Sequence, residues 1–339
     1  MSALWARFPD EASACPACTS PHITLLDVIP TLRDRQGRMA SFVTGCRDCG
    51  LLFTNPPRSP EELQEYYGDE GGWAEVMEGR RLRHRVKVKV RKPLTARDRL
   101  LIALEPYVPV NTPPPGAKVL DFGCGDGKFL DRLQRRGWET YGIEPAISDA
   151  FPRHRRLEVP PQDGSFDFVI LHHVLEHVPA PLDLLKQLAG AMREGGMLFI
   201  SLPRLDTVGQ HGQLKYCLDG RKHLVSFSET CLKGLLARAG LTVTARLDAR
   251  DLDEALTRGL PLRLRLVASR MSTPPPAPSS PLAPAIRALH QYHRAEGAVA
   301  HIVRTTVPLR MRAALLDRSR RKARQRRRGG QSRAARAAQ

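Results

Sequence analysis

Apolar positions along the chain change period several times, and each change marks an element. The stretches ITLLDVIP and MASFVTG alternate or run apolar over strand-like lengths near the N-terminus. KVLDF is a short apolar run that breaks into glycines, and KFLDRLQRRG then takes up helical spacing, closed by Gly137. ETYGIE, FVILHHV and MLFISLP read as further strands, and PLDLLKQLAGAMREGG between the last two reads as a helix. Strands alternating with helices predict an α/β fold with a parallel sheet. Residues 241–247 and 262–268 are expected as its last two strands.

Composition then divides the chain. Its 339 residues suffice for two or three domains, and 42% hydrophobic content is ordinary globular usage. TPPPAPSSPLAP at 273–284 is a break that cannot hold a helix or a central strand. The expected organisation is a small cysteine-bearing domain at 10–55, a helical connector or lid at 56–110, and an α/β domain at 111–270. A Pro-rich linker at 271–285 and a helical, then basic, low-complexity tail at 286–339 follow. PPRSPEELQEYYG within the connector reads as a short capped helix. No apolar run approaches the ~18 residues needed to cross a bilayer. The N-terminus lacks a basic region followed by an apolar core, so a cytoplasmic protein without a signal peptide is expected.

Charge is unevenly placed. The net +18 divides into +12 from Ile302 onward (13 basic residues against Asp317) and +6 over the rest (40 basic, 34 acidic). A solvated extension and an electrostatic handle for RNA, DNA or an anionic membrane both fit the tail. It has no interleaved aromatics to stack on bases. RRLRHRVKVKVRK at 80–92 holds eight Lys and Arg and no acid. It is a solvated face or, if it lines a cleft, a sign of an anionic acceptor.

Four cysteines fall in two pairs, Cys15–Cys18 and Cys46–Cys49, each C-x-x-C. Two such knuckles supply four thiolates to one tetrahedral ion, and Gly50 lets the chain turn beneath it. A structural zinc on a β-hairpin, a zinc ribbon, is expected, with no open coordination position. Disulfides are disfavoured by the expected compartment, and a thioredoxin-like pair by the absence of a surrounding βαβ pattern. Cys124, Cys217 and Cys231 read as ordinary small residues.

The densest chemistry follows KVLDF. Asp121 ends the strand, and Gly123, Gly125 and Gly127 follow in G-x-G-x-G spacing. Glycines at a strand-to-helix turn let a ligand lie against the backbone. The dinucleotide fingerprint needs G-x-G-x-x-G, but Lys128 stands at the third position, and no P-loop motif occurs. Glu144 ends the next strand, where an acid can accept hydrogen bonds from two ribose hydroxyls. FVILHHVLEHV brings His172, His173, Glu176 and His177 to the end of another strand.

In order, these segments resemble the class I S-adenosylmethionine-dependent methyltransferases carrying "LDxGCGxG", "FDxVxxxHVLEHV" and "GGxLxIxxP", over roughly 117–245. KHLVSFSETCLKGLLARAGLTV is similar to that family's C-terminal segment, and the paired C-x-x-C knuckles resemble one subgroup. Some sugar methyltransferases are similar in layout. The resemblance implies a Rossmann-like sheet of seven strands, one antiparallel. It implies that Asp121, Gly123, Gly125 and Gly127 hold the methionine part of the cofactor, Glu144 its ribose, and that His173 faces the methionine or the methyl group. One departure is plain: FPRHRRLEVPP reads as neither helix nor strand, and the acid that meets adenine has no clear counterpart, Glu158 being nearest.

Methyl transfer is an in-line displacement, so alignment and desolvation dominate, and a base is needed only for a hydroxyl or acidic carbon. His173, His177, His211 and His223 are the candidate bases, with His223 also an acceptor ligand. Glu176 and His177 read equally as a local cap and a turn closure before Pro179. The two neighbouring histidines, His172 and His173, would face opposite sides of a strand. The expected function is methylation of a small molecule or glycan precursor, at oxygen. The alternatives are an RNA methyltransferase using the tail, and a degenerate fold serving as a zinc-dependent binding module.

Overall fold

The computed structural model describes residues 13–28, 42–58, 62–63, 96–144, 153–207, 217–218, 222–247, 256–257, 260–261, 263–270, 282 and 284–287. The 80–92 run, most of the connector, His211 and the basic tail lie outside the described residues.

Among the described residues, two larger sheets and a two-stranded ribbon of β11 (Leu256–Thr257) and β12 (Leu260–Pro261) organise the chain. The larger has seven strands: β4 (Lys118–Phe122), β5 (Glu139–Ile143), β6 (Arg155–Arg156), β7 (Phe166–His172), β8 (Met192–Pro203), β10 (Leu241–Arg246) and β13 (Arg263–Arg270). Their order is β10-β13-β8-β7-β4-β5-β6. Only β13 runs against its neighbours, pairing antiparallel with both β8 and β10. The other pairings in this sheet are parallel, as the sequence pattern predicts.

Successive residues of the central strands serve opposite faces. Leu120, Val169, Leu171, Leu198 and Ile200 pack on one side, with α3 (Pro181–Ala191) and α4 (Glu229–Arg238). Val119, Phe168, Ile170 and Phe199 pack on the other, with α1 (Ala96–Leu104) and α2 (Lys128–Gln134). Strands that read as unbroken apolar runs are buried on both faces, as parallel strands must be.

Chain order reverses about β4. β5 and β6 lie to one side of it, and β7 and β8 to the other. In open α/β sheets such a reversal point, beyond the carboxyl ends of the strands, is where ligands bind.

The smaller sheet is antiparallel, with β1 (Ile23–Val28), β2 (Phe42–Cys46), β3 (Leu52–Asn55) and β9 (Val225–Ser226) in that order. Its last strand comes from the chain that follows β8, through Leu52↔Ser226 and Phe53↔Val225. Cys15, Cys46, Cys49, Leu51 and Phe53 also share a core with Leu232, Leu235 and Leu236 of α4. The expected ribbon is thus built into the body of the α/β fold. Two-residue β9 was invisible in the sequence because a strand that short carries no periodicity.

Other expectations change. FPRHRRLEVPP does contain a strand: β6 pairs with β5 through Tyr141↔Arg155 and Gly142↔Arg156. Helix α3 stops at Ala191, and β8 takes up Met192 onward, because the register against β7 shifts between Phe166 and Phe168 and accommodates the MREGG segment. Leu282 and Ala285, which composition places in a linker, are buried against Val43 and Leu52.

Candidate functional site

The glycine turn after β4 lies at that reversal point. Gly123, Gly125 and Gly127 all have positive φ, at 76°, 55° and 69°. A Cβ on Gly123 would lie 2.4 Å from Val174 Cγ2, so this glycine lets the β7 loop close on the β4 loop. A Cβ on Gly125 would meet none of the described residues within 4 Å. That open space above the backbone is where a ligand can lie. The Gly123 amide donates to Ile143 O at 2.7 Å, and the Gly125 amide donates to Glu144 Oε2 at 2.8 Å. The two parts of the expected cofactor site, turn and strand-end acid, are thereby in direct contact.

Asp121 and Glu144 are both buried. Burial, and then the charge of Glu144, push the Asp121 carboxyl up to about 8, with Arg97 opposing and Asp126 adding. Burial also acts upward on Asp126, but the hydrogen bonds and charge of Lys128, with Arg97, outweigh it and hold that carboxyl below its ordinary value. Three acids therefore crowd one glycine turn. Such a recess favours a ligand that brings positive charge.

At the end of β7 only one of the two neighbouring histidines lies in the strand. The strand stops at His172, and His173 leaves it at φ 58°, so its ring meets that of His172 edge-on with centroids 4.8 Å apart. His173 Nδ1 lies 3.0 Å from Glu176 Oε1, on the short 3₁₀ turn Leu175–His177. Glu176 thus also meets a side chain of the same segment. His177 Nδ1 donates to Lys222 O at 2.7 Å, tying the turn to a distant segment. His223, next in that segment, packs edge-on against His177 at 4.8 Å. The structure brings together His173, Glu176, His177 and His223; the long sequence gap before His223 hid that grouping.

The four N-terminal thiols also converge. Their Sγ atoms lie within 4.8 Å of one another, with Cys15–Cys49 at 3.6 Å and Cys18–Cys46 at 3.5 Å. Tetrahedral bonds of ~2.3 Å to zinc imply sulfur separations of about 3.8 Å, so the set fits that ion. The two knuckles match: Thr19 N–H donates to Cys15 O and Gly50 N–H to Cys46 O, and Thr19 and Gly50 both have positive φ. Sequence reading anticipated Gly50 but not Thr19. Crowding separates the acidities, lowering Cys46 and raising Cys15 to about 12, chiefly through the hydrogen bond between them. A divalent cation removes that conflict by accepting thiolates at all four positions.

The adenine edge differs from expectation. Glu158 points outward, paired with Arg156 at 3.1 Å. Buried His154 stands nearby, with Nδ1 2.9 Å from Thr140 Oγ1 and Nε2 3.0 Å from Asp131 Oδ1. Sequence reading passed over His154 because it lies within a run of arginines.

Residues 82–246 match the family model described as a methyltransferase domain. The sheet order above agrees with that match. Over 111 residues the chain is 32% identical to a ubiquinone biosynthesis O-methyltransferase of Xanthomonas campestris, covering 28% of this chain and 46% of that protein. It is 34% identical over 101 residues to an uncharacterized methyltransferase of a Mycobacterium species, covering 26% and 40%. The chain thus spans under half the length of these curated relatives. Among solved structures, it is similar to the 1,6-didemethyltoxoflavin-N1-methyltransferase of Burkholderia thailandensis, at 18% identity and a TM-score of 0.43. That similarity covers 66% of this chain and 97% of that one. Among the described residues, no helix is long and apolar enough to cross a membrane.

Proposed function

We propose that this protein is an S-adenosylmethionine-dependent methyltransferase that methylates a small-molecule or glycan-precursor hydroxyl. One observation carries the reading: the Gly125 amide donates to Glu144 beside buried Asp121, under open space at the reversal point of the sheet. Asp121 and the glycine turn would hold the methionine part of the cofactor, and Glu144 its ribose. The acid-rich recess suits a ligand bearing both a sulfonium and an ammonium. Relatives named for O-methylation support oxygen as the acceptor atom.

The cofactor supplies a methyl group on a positively charged sulfur. The acceptor oxygen forms the new bond to carbon, the old bond's electrons stay on sulfur, and the hydroxyl proton must leave. His173 would take it. Glu176 grips the ring at Nδ1, which sets Nε2 as the basic atom. His223 packs against His177 in the same cluster and would orient the hydroxyl. The Cys15, Cys18, Cys46 and Cys49 set would hold a structural zinc, and a reducing compartment such as the cytoplasm suits its free thiols.

Calorimetric titration with S-adenosylhomocysteine tests the reading. Micromolar binding by the full chain, weakened about 10- to 100-fold in Glu144→Ala, is expected. A folded, zinc-loaded wild type that ignores the ligand overturns it and favours a binding module.

A further inference from the structure

Glu176, His177 and His223 place one carboxylate oxygen and two imidazole nitrogens within 4.8 Å of one another. Glu176 is 1% exposed, and its Oε2 has no hydrogen-bond partner among the described residues. Its Oε1 is held by His173 Nδ1. His177 spends its Nδ1 proton on Lys222 O, so its lone pair sits on Nε2, 4.0 Å from Glu176 Oε1. Two acceptors therefore face each other at a buried carboxylate. That arrangement is unfavourable unless a positive centre lies between them.

We propose that Glu176, His177 and His223 form a second metal site, separate from the four cysteines, for a divalent cation of the zinc class. Two imidazoles and one carboxylate are a ligand set that zinc accepts, and three protein ligands leave one position open. The surroundings match what metal ligands require. The nitrogen of His177 turned away from the site donates to a backbone carbonyl, and the carboxylate is oriented by a further side chain, His173. The position is also apt. Val174, two residues before Glu176, is the side chain that closes on Gly123 of the glycine turn.

The open position would take the acceptor's hydroxyl oxygen; this part rests on the methyl-transfer reading. Coordination lowers the pKa of a bound hydroxyl as it does that of water, so the proton departs more readily near neutral pH. Acceptors with two adjacent oxygens, able to chelate, would then be preferred.

Cobalt titration of the metal-free, reduced full chain tests the site. Two equivalents are expected: one giving thiolate charge-transfer bands from the cysteines, the other only the weaker ligand-field bands of nitrogen and oxygen ligands. His223→Ala and the less buried His177→Ala should each take up one equivalent, keeping the thiolate bands and S-adenosylhomocysteine binding as evidence of folding. A wild type that stops at one equivalent overturns the proposal and identifies the positive centre as a proton on His177. Variants that still bind two equivalents overturn it as well. Homocysteine-ligand binding without a second cobalt sinks the metal site alone, whereas a second cobalt without that binding sinks the methyl-transfer reading alone.

Discussion

The amide of Leu224 donates to the carbonyl of Glu176 at 2.8 Å, while the carbonyl of Leu224 accepts from the Thr54 amide at 3.0 Å. One residue thus joins the cysteine-bearing sheet to the turn that holds the histidine cluster. The four cysteines sit on the knuckles of that same sheet, and burial, then the charge of Cys15 and Cys46, raises the thiol of Cys231 in the first turn of α4.

Zinc removal should therefore reach the catalytic edge. Chelation, or Cys49→Ser, is expected to lower the melting temperature by on the order of 10 °C, since a structural zinc contributes several kcal/mol and each costs a few degrees in a domain this size. Hydrogen exchange should rise at Leu224 as well as within β1–β3. Unchanged exchange at Leu224 would show the two regions to be uncoupled.

Glu144→Ala should weaken S-adenosylhomocysteine binding by about 10- to 100-fold, the range for loss of charged hydrogen bonds worth ~1.5–3 kcal/mol. Glu144→Gln should fall between, because an amide oxygen can still accept from the Gly125 amide. Calorimetry of the three proteins checks the order.

Gly123 and Gly125 should respond differently to alanine. Both need positive φ, but only at Gly123 would the new methyl collide, with Val174. Gly123→Ala is expected to destabilise the fold in thermal melts by more than Gly125→Ala. Gly125→Ala should stay folded and lose cofactor affinity, because its methyl enters the open space. Equal melting temperatures would count against this division of roles.

Asp121 makes both stability and binding depend on pH. Its carboxyl titrates near 8 in the fold and near 4 when unfolded, so between those values only the folded chain keeps the proton. Ligand-free stability should fall as pH rises through this window, because ionising Asp121 beside Glu144 is unfavourable. Affinity for the cationic cofactor should rise over the same window and level off above about 8. Asp121→Asn should flatten both profiles, as denaturant melts and calorimetry at stepped pH would report.

The elements that recur in the sequence were legible there because their signals are local. The apolar runs of β4, β7 and β8 needed no partner to be read as buried strands, and the glycines after Asp121 marked a turn against which a ligand could lie. Both cysteine pairs were legible for the same reason, since each knuckle closes within four residues. Glu144 was legible because it follows its strand directly.

Only tertiary structure decided the rest. Arg155–Arg156 become a strand because Tyr141 and Gly142 offer an edge to pair with, and not through any propensity of their own. His173 turns out of its strand because the chain there bends into the 3₁₀ turn, which period-2 alternation cannot foresee. His223 reaches Glu176 and His177 because β9 adds to the cysteine-bearing sheet and Leu224 docks on Glu176. These contacts join segments far apart in sequence. Their stability comes from closing the whole fold, so no window of local sequence holds the information.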